Sequence, residues 1–321
     1  MTGQDRFVDR HTADWESLEG VLDRLEGGQT AAAPDFPQAY RRLCQQLALA
    51  RSRAYNPELV DRLNRMVLRG HQQLYGRPLI APRLMEGIQR TFPARVRQEW
   101  RLVLASTVLF VGPLLLTVLA VRHTPEAIHS ILNPAMLDNV ERMYDPASEQ
   151  FLHERTAETD IAMFGFYIRN NIGIGFRVFA SGLLAGLGSS FFLIFNGVSI
   201  GAVIGHLGNV GFSSTLYPFM IAHGAFELTA IVLAGAAGLR LGLALIAPGR
   251  HSRRTALAMA AKTAMPIVYG FTGMLVIAAG LEAFWSPRHT LPLTLRYGVG
   301  VAMWVLVSVY LLGAGRRDET R

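Results

Sequence analysis

Between positions 161 and 315 the chain carries only two acidic side chains, Glu227 and Glu282. Within that stretch lie several apolar blocks long enough to cross the hydrocarbon core of a bilayer, which takes ~20 helical residues. An earlier block at 102–121, LVLASTVLFVGPLLLTVLAV, has no charge inside it. A surface helix of a soluble protein shows a polar face every third or fourth residue, and these blocks show none. Lipid is therefore the expected solvent for most of the chain. The composition agrees: the 321 residues are 50% hydrophobic and 17% charged, with a mean hydropathy of +0.26. The expected fold is all-α, a polytopic membrane helix bundle of about six spans with an N-terminal soluble helical domain.

The first hundred residues read as that soluble domain. Trp15, Leu18, Val21, Leu22 and Leu25 recur at helical spacing, with Thr12 or Asp14 as a cap. Gly27-Gly28 and Pro34 break the chain, and a second helix carries Tyr40, Leu43, Cys44 and Leu47. Asn56-Pro57 starts a third, with Leu59, Leu63, Met66 and Val67 on one face and Arg62, Arg65 and Arg69 on a solvated one. Leu84, Ile88 and Phe92 suggest a fourth helix running toward the membrane. The chain is basic, with Lys+Arg at 31 against Asp+Glu at 24, and Lys262 is the single lysine. That arginine bias is most simply codon composition. Acids interleave with the arginines, so no basic stripe for nucleic acid forms. The one cysteine, Cys44, excludes an intramolecular disulfide and any cysteine-based zinc site. The polar N-terminus excludes a cleaved secretory signal, so the 102–121 block is expected to act as an uncleaved first span.

Charge sets the topology. Arg95, Arg97 and Arg101 precede the first span, and basic flanks stay on the cytoplasmic side. Residues 122–160 hold Arg122, Arg142 and Arg155 against an excess of acids, which suits the outer side. Ile128, Ile131, Leu132, Met136, Leu137, Val140 and Met143 make that loop helical and amphipathic, as if hugging the interface. Arg250, Arg253, Arg254 and Lys262 place the 248–262 loop inside, and Arg316, Arg317 and Arg321 do the same for the C-terminus. An odd number of crossings must join those loops, and spans at 173–195, 197–212 and 217–247 supply it. The middle one is short, ~16 residues or ~24 Å. Spans at 264–284 and 291–313 complete the set. The organisation expected is a cytoplasmic helical domain over 1–100, a first transmembrane helix over 101–121 and an acidic amphipathic external loop over 122–160. A Gly-rich transmembrane bundle over 161–315 and a cytoplasmic tail over 316–321 follow.

The spans carry rows of small residues: Gly197, Gly201 and Gly205 repeat every fourth position, as do Gly182 and Gly186. Close helix packing explains such rows, because lipid offers helices no hydrophobic drive to associate. The polar side chains are more informative. Asn170, Asn171 and Arg177 lie near the start of the second span, Asn196 between the second and third, and His206 and Asn209 near the end of the third. His223 and Glu227 stand four residues apart on one helix face. Ionisable groups inside a span are costly and normally face the bundle interior or water. These eight residues are the candidate intramembrane polar network. A His–Glu pair can bind a metal, relay a proton or tie helices together. A zincin needs H-E-x-x-H, whereas here the order is His223-Gly224-Ala225-Phe226-Glu227, and no phosphate loop or nucleophile elbow occurs. No catalytic residue, cofactor site or metal site is therefore assigned, and an enzyme is not expected. A small transporter or channel with His223 and Glu227 on its path is the alternative to a scaffold.

The string NNIGIGFRVFASGLLAGLGSSFFLIFNGVSIGAVIGHLG, followed by IAHGAFELTAIVLAGAAGLRLGLALIAPG, resembles the stage II sporulation protein M family. The marks come in order: Asn170-Asn171 before a Gly-rich span, Asn196-Gly197, then His223-Gly224-x-x-Glu227 leading to Pro248. QAYRRLCQQLALAR and LVDRLNRMVLRGHQQLYG are similar to the soluble region of long-N-terminus members. The resemblance implies a multi-pass inner-membrane protein without enzymatic activity that assembles with other proteins. In sporulating bacteria such members help build a complex with peptidoglycan-degrading partners. Long relatives in non-sporulating bacteria are often encoded beside a MoxR-type ATPase and an RDD-family membrane protein. The expected role is thus a homo-oligomeric scaffold or assembly factor in the cell inner membrane, with both termini cytoplasmic.

Overall fold

The computed structural model describes residues 2–26, 35–75, 85–148 and 156–316. The expected break at Gly27-Gly28 and Pro34, together with Leu84, Arg155, Arg317 and Arg321, lies outside them. Among the described residues all regular structure is helical. They fall into two compact units, Met1–Arg83 and Leu84–Arg321.

The first unit packs α1 (Gly3–Glu26), α2 (Phe36–Ser52) and α3 (Pro57–Tyr75) around one core. The positions read from helical spacing converge there: Trp15, Leu18 and Leu22 meet Leu43, Leu47, Leu63 and Met66, with Phe7 and Phe36 added. The Trp15 indole N–H donates to Gln46 Oε1 at 2.8 Å, so its polar edge is satisfied while the ring is buried. The arginines of α3 do more than face solvent. Arg62 reaches Glu19 at 3.0 Å, and Arg69 reaches Glu26 at 2.8 Å and also Asp23, all on α1. Arg65 is exposed as expected, while Arg62 and Arg69 are only half-exposed, because helical spacing shows which residues share a face but not what lies opposite it. The Arg69 guanidinium holds the Glu26 carboxyl below its ordinary value of 4.5.

The second unit opens with a π turn at Gly87–Thr91 and α4 (Phe92–Gln98), so the expected fourth helix packs with the membrane unit instead of the soluble one. Phe92 seats against Gly270, and Arg97 donates to the carbonyls of Leu311 and Ala314 at 3.1 and 2.8 Å. Then come α5 (Trp100–His123), α6 (Pro134–Tyr144), α7 (Ala157–Ala180), α8 (Leu187–Asn209), α9 (Ser213–Ile246), α10 (Arg253–Gly280) with a terminal π turn at Leu281–Trp285, and α11 (Leu293–Gly313). Five of these helices, α5, α8, α9, α10 with its turn, and α11, are long and apolar enough to cross a membrane. The 24-residue α7 is more polar and packs among them.

The central helix is α9, which packs against α5, α7, α8, α10 and α11, and every residue from Ala230 to Gly238 is buried. Glycine makes the approach possible. A Cβ on Gly238 would strike Ser189 and the Phe179 carbonyl, one on Gly242 would strike Gly186, and one on Gly182 would strike Gly238. The row on α8 does the same against α5: Gly197 lies on the Phe110 carbonyl, Gly201 on that of Leu114, and Gly205 beside Val118 and Val121. Buried hydroxyls add ties, Ser106 donating to the Val232 carbonyl and Ser189 to that of Val178, each at 2.6 Å.

The helix boundaries differ from the sequence expectation: α7 begins at Ala157, well before 173, α10 begins at Arg253 inside the expected 248–262 loop, and a third difference lies between α7 and α8. The chain turns at 181–186 instead of near Asn196, so Asn196 sits inside α8. The third span is consequently not short: α8 has 23 residues, or ~35 Å. Ala185 and Gly186 take positive φ of 53° and 79° there. The turn was illegible because its sequence, SGLLAGLG, lacks the Pro, Asn and Asp that mark turns in water. Within the loop expected to be amphipathic, Ile128, Leu132 and Leu137 bury against Val121 and Ala202, while Met136 stays exposed.

Two outcomes follow. Gly201→Ala should cost roughly 1–3 kcal/mol of bundle stability, since the obstacle is backbone, whereas Gly112→Ala on α5, with open space around it, should cost nothing; thermal melts in detergent compare them. Glu26 titrates lower folded than unfolded, so its tie stabilises fully above the unfolded value and is lost as pH falls through the folded one. Glu26→Gln should therefore lower protection of α1 amides by a few tenths of a kcal/mol at about pH 7. The difference should vanish at about pH 2, as read by hydrogen exchange.

Candidate functional site

Two apolar helices bring three ionisable side chains to one place. His223 and Glu227 are one turn apart on α9, and Glu282 stands on the π turn that ends α10. That turn is widened by one residue and closed by the Ser286 amide donating to the Leu281 carbonyl at 2.8 Å. Such turns re-aim side chains and recur at functional positions. One ligand atom from each of the three residues lies within 4.8 Å of the others. The two acids that stand out in an otherwise acid-free stretch are thus neighbours in space.

Polar partners surround the three. Asn171 on α7 donates to Glu282 Oε2 at 3.2 Å, and Asn170 donates to the side-chain oxygen Oδ1 of Asn171 at 3.0 Å. His223 Nδ1 is hydrogen-bonded to Ser286 Oγ at 2.9 Å, which leaves Nε2 facing Glu227 Oε2 at 3.9 Å. The Phe219 ring packs edge-on against the His223 imidazole. Arg296 of α11 is buried and donates to the Ser286 carbonyl at 2.9 Å. Among the described residues Glu227 has no hydrogen-bond donor, since 3.9 Å is beyond that range.

The eight side chains singled out in the sequence divide into groups. Asn170, Asn171, His223 and Glu227 gather at this cluster. His206 and Asn209 belong to a second group at the C-terminal end of α8: His206 Nε2 is 2.7 Å from Glu141 Oε1 on α6, and Asn209 donates to the Val121 carbonyl at the end of α5. Arg177 and Asn196 bond carbonyls of their own helices, Gly173 and Phe192. They tie nothing across the bundle. The residues not singled out are Glu282, Ser286, Arg296 and Glu141. For Glu282 a signal existed, because an isolated acid inside apolar sequence is itself unusual. His206 is engaged by Glu141 and lies apart from the cluster around His223.

Chemically, an imidazole and two carboxylates at this separation can hold a cation, share protons or clasp helices. A family model described as Stage II sporulation protein M matches residues 106–287, more than half of the chain and all three ionisable residues. A second, described as a domain of unknown function (DUF8413), matches residues 5–76, the three-helix unit. No curated protein and no solved structure matches.

Removing the α7 donor should loosen the cluster. Asn171→Ala removes one donor from the half-buried Glu282 carboxylate and leaves a gap at the buried Asn171 site, and roughly 1–3 kcal/mol should be lost. Arg177→Ala, exposed and bonded only to its own helix, should stay within about 0.5 kcal/mol of wild type. Detergent melts or steric trapping in bicelles measures both.

Proposed function

The chain belongs to the stage II sporulation protein M family, and from that premise we propose that it is a non-enzymatic, homo-oligomeric scaffold of the bacterial inner membrane. One observation carries this reading: seven of the eight sequence-singled polar side chains, all but Glu227, are hydrogen-bonded inside the chain. Four of them bond across helices. Polar groups spent on fixing helix positions suit a rigid platform. A separately packed three-helix unit precedes the bundle and is the part that would recruit cytoplasmic partners. A MoxR-type ATPase and an RDD-family membrane protein are the partners to look for. The faces of α5 bearing Leu104, Val108 and Leu115, and of α11 bearing Val301, Val305 and Val309, are exposed to lipid or a second copy.

The topology follows from charge. With α7 as a sixth crossing, the α9–α10 loop bearing Arg250 and Arg253 falls on the same side as Arg97 and Arg101, as retained basic loops require. The 3.6 Å approach of Arg240 on α9 to Glu99 at the foot of α5 suits that arrangement. Both chain ends are then cytoplasmic.

Deleting residues 2–83 should leave insertion and oligomerisation intact while abolishing co-purification of soluble partners from native membranes. Unchanged co-purification would overturn the recruiting role. The convergence of His223, Glu227 and Glu282 favours a second reading, a cation path, and ion flux in proteoliposomes separates the two. A scaffold conducts nothing.

A further inference from the structure

We propose that His223, Glu227 and Glu282 form a binding site for one divalent transition-metal ion inside the membrane unit, with Asn171 and Ser286 as the residues that orient the ligands. This goes beyond the assembly role and stands independently of it.

The geometry is that of an opened coordination sphere. Two ligands, each about 2.1 Å from a metal ion, can stand up to about 4.2 Å apart. The His223 Nε2 to Glu227 Oε2 gap of 3.9 Å falls in that range, too long for a hydrogen bond and short enough to be spanned by one ion. Glu282 closes the triangle within 4.8 Å, so a small side-chain adjustment completes it. The three donors come from two different elements, α9 and the turn after α10. An ion there would lock those elements together.

The surroundings match what metal ligands require. A ligating histidine uses one ring nitrogen while the other is held by an outer partner that fixes ring and tautomer. Here Ser286 holds Nδ1 at 2.9 Å and leaves Nε2 for the ion. A ligating carboxylate is likewise hydrogen-bonded to an outer partner. Asn171 does this for Glu282 at Oε2, and is itself held by Asn170. Glu227, which has no donor within hydrogen-bond range among the described residues, supplies the energetic argument. A carboxylate in an apolar span is costly unless neutralised, and a dication neutralises two at once. His223 is buried and both glutamates are half-buried.

The donor set selects the class of metal. Imidazole favours zinc, iron, copper or nickel over magnesium and calcium, and two carboxylates with no thiolate disfavour soft ions such as copper(I). Three protein ligands leave a position open for water or another group.

The test uses the full-length, untagged protein in nanodiscs, stripped with a chelator and titrated with Zn²⁺ under calorimetry and elemental analysis. One equivalent per chain is expected, with a rise in the melting temperature that the chelator reverses. Glu227→Gln and Glu282→Gln should each abolish stoichiometric uptake, and Asn171→Ala should weaken it by about 10–100-fold. If those variants do not fold, Co²⁺ added to the wild-type protein gives the answer: visible ligand-field bands that Zn²⁺ displaces are expected. Absence of saturable uptake by the wild type, uptake unchanged in both folded glutamate variants, or no displaceable Co²⁺ spectrum would each overturn the site.

Discussion

Everything in the membrane unit depends on backbones approaching more closely than side chains ordinarily permit. Gly182 and Gly186 meet Gly238 and Gly242 of α9, and Gly197 and Gly201 rest on carbonyls of α5. In lipid, apolar side chains gain little from leaving one apolar environment for another. What remains is van der Waals contact and hydrogen bonding, and both grow steeply as helices close. Ser106 and Ser189 reach carbonyls on other segments only because the glycines admit them.

The same closeness dictates how polar side chains can be used. A polar group buried between helices must find a partner within the protein, because no water is there to substitute. Asn209 takes the Val121 carbonyl at the end of α5, Asn171 takes Glu282, and His206 pairs with Glu141. Each bond fixes one element relative to another. Around His223 this economy is incomplete, since Glu227 has no donor within hydrogen-bond range among the described residues, and it is incomplete as well at Asp160 Oδ1, Arg240 Nε, Trp285 Nε1 and Arg296 Nε. A defect of that kind in a buried site is where function is sought first.

Much of this was legible in sequence. Helical spacing placed Trp15, Leu22, Leu43, Leu63 and Met66 in one core, and they share it. Hydropathy identified the apolar helices, and the four-residue glycine repeat named the contact face of α8. Of the eight polar residues named as one network, Asn170, Asn171, His223 and Glu227 cluster, whereas Arg177, Asn196, His206 and Asn209 bond elsewhere. The turn at 181–186 was hidden because apolar residues flank it, as membrane surroundings permit. Arg69 looked solvated because its partners lie more than forty positions earlier, on α1.

The amino-acid sequence alone determined the solvent and the class of fold: apolar runs of membrane length must be helical, since each backbone amide needs an internal partner. It also determined which residues are too polar to be indifferent to that setting. Only the tertiary structure decided who meets whom. Glu282 is remote from His223 along the chain, and nothing local encodes their approach; packing of α10 against α9, with a π turn to aim the carboxylate, brings them together. Local propensity acts over a few residues, whereas the cluster is assembled by contacts between helices that the chain itself keeps far apart.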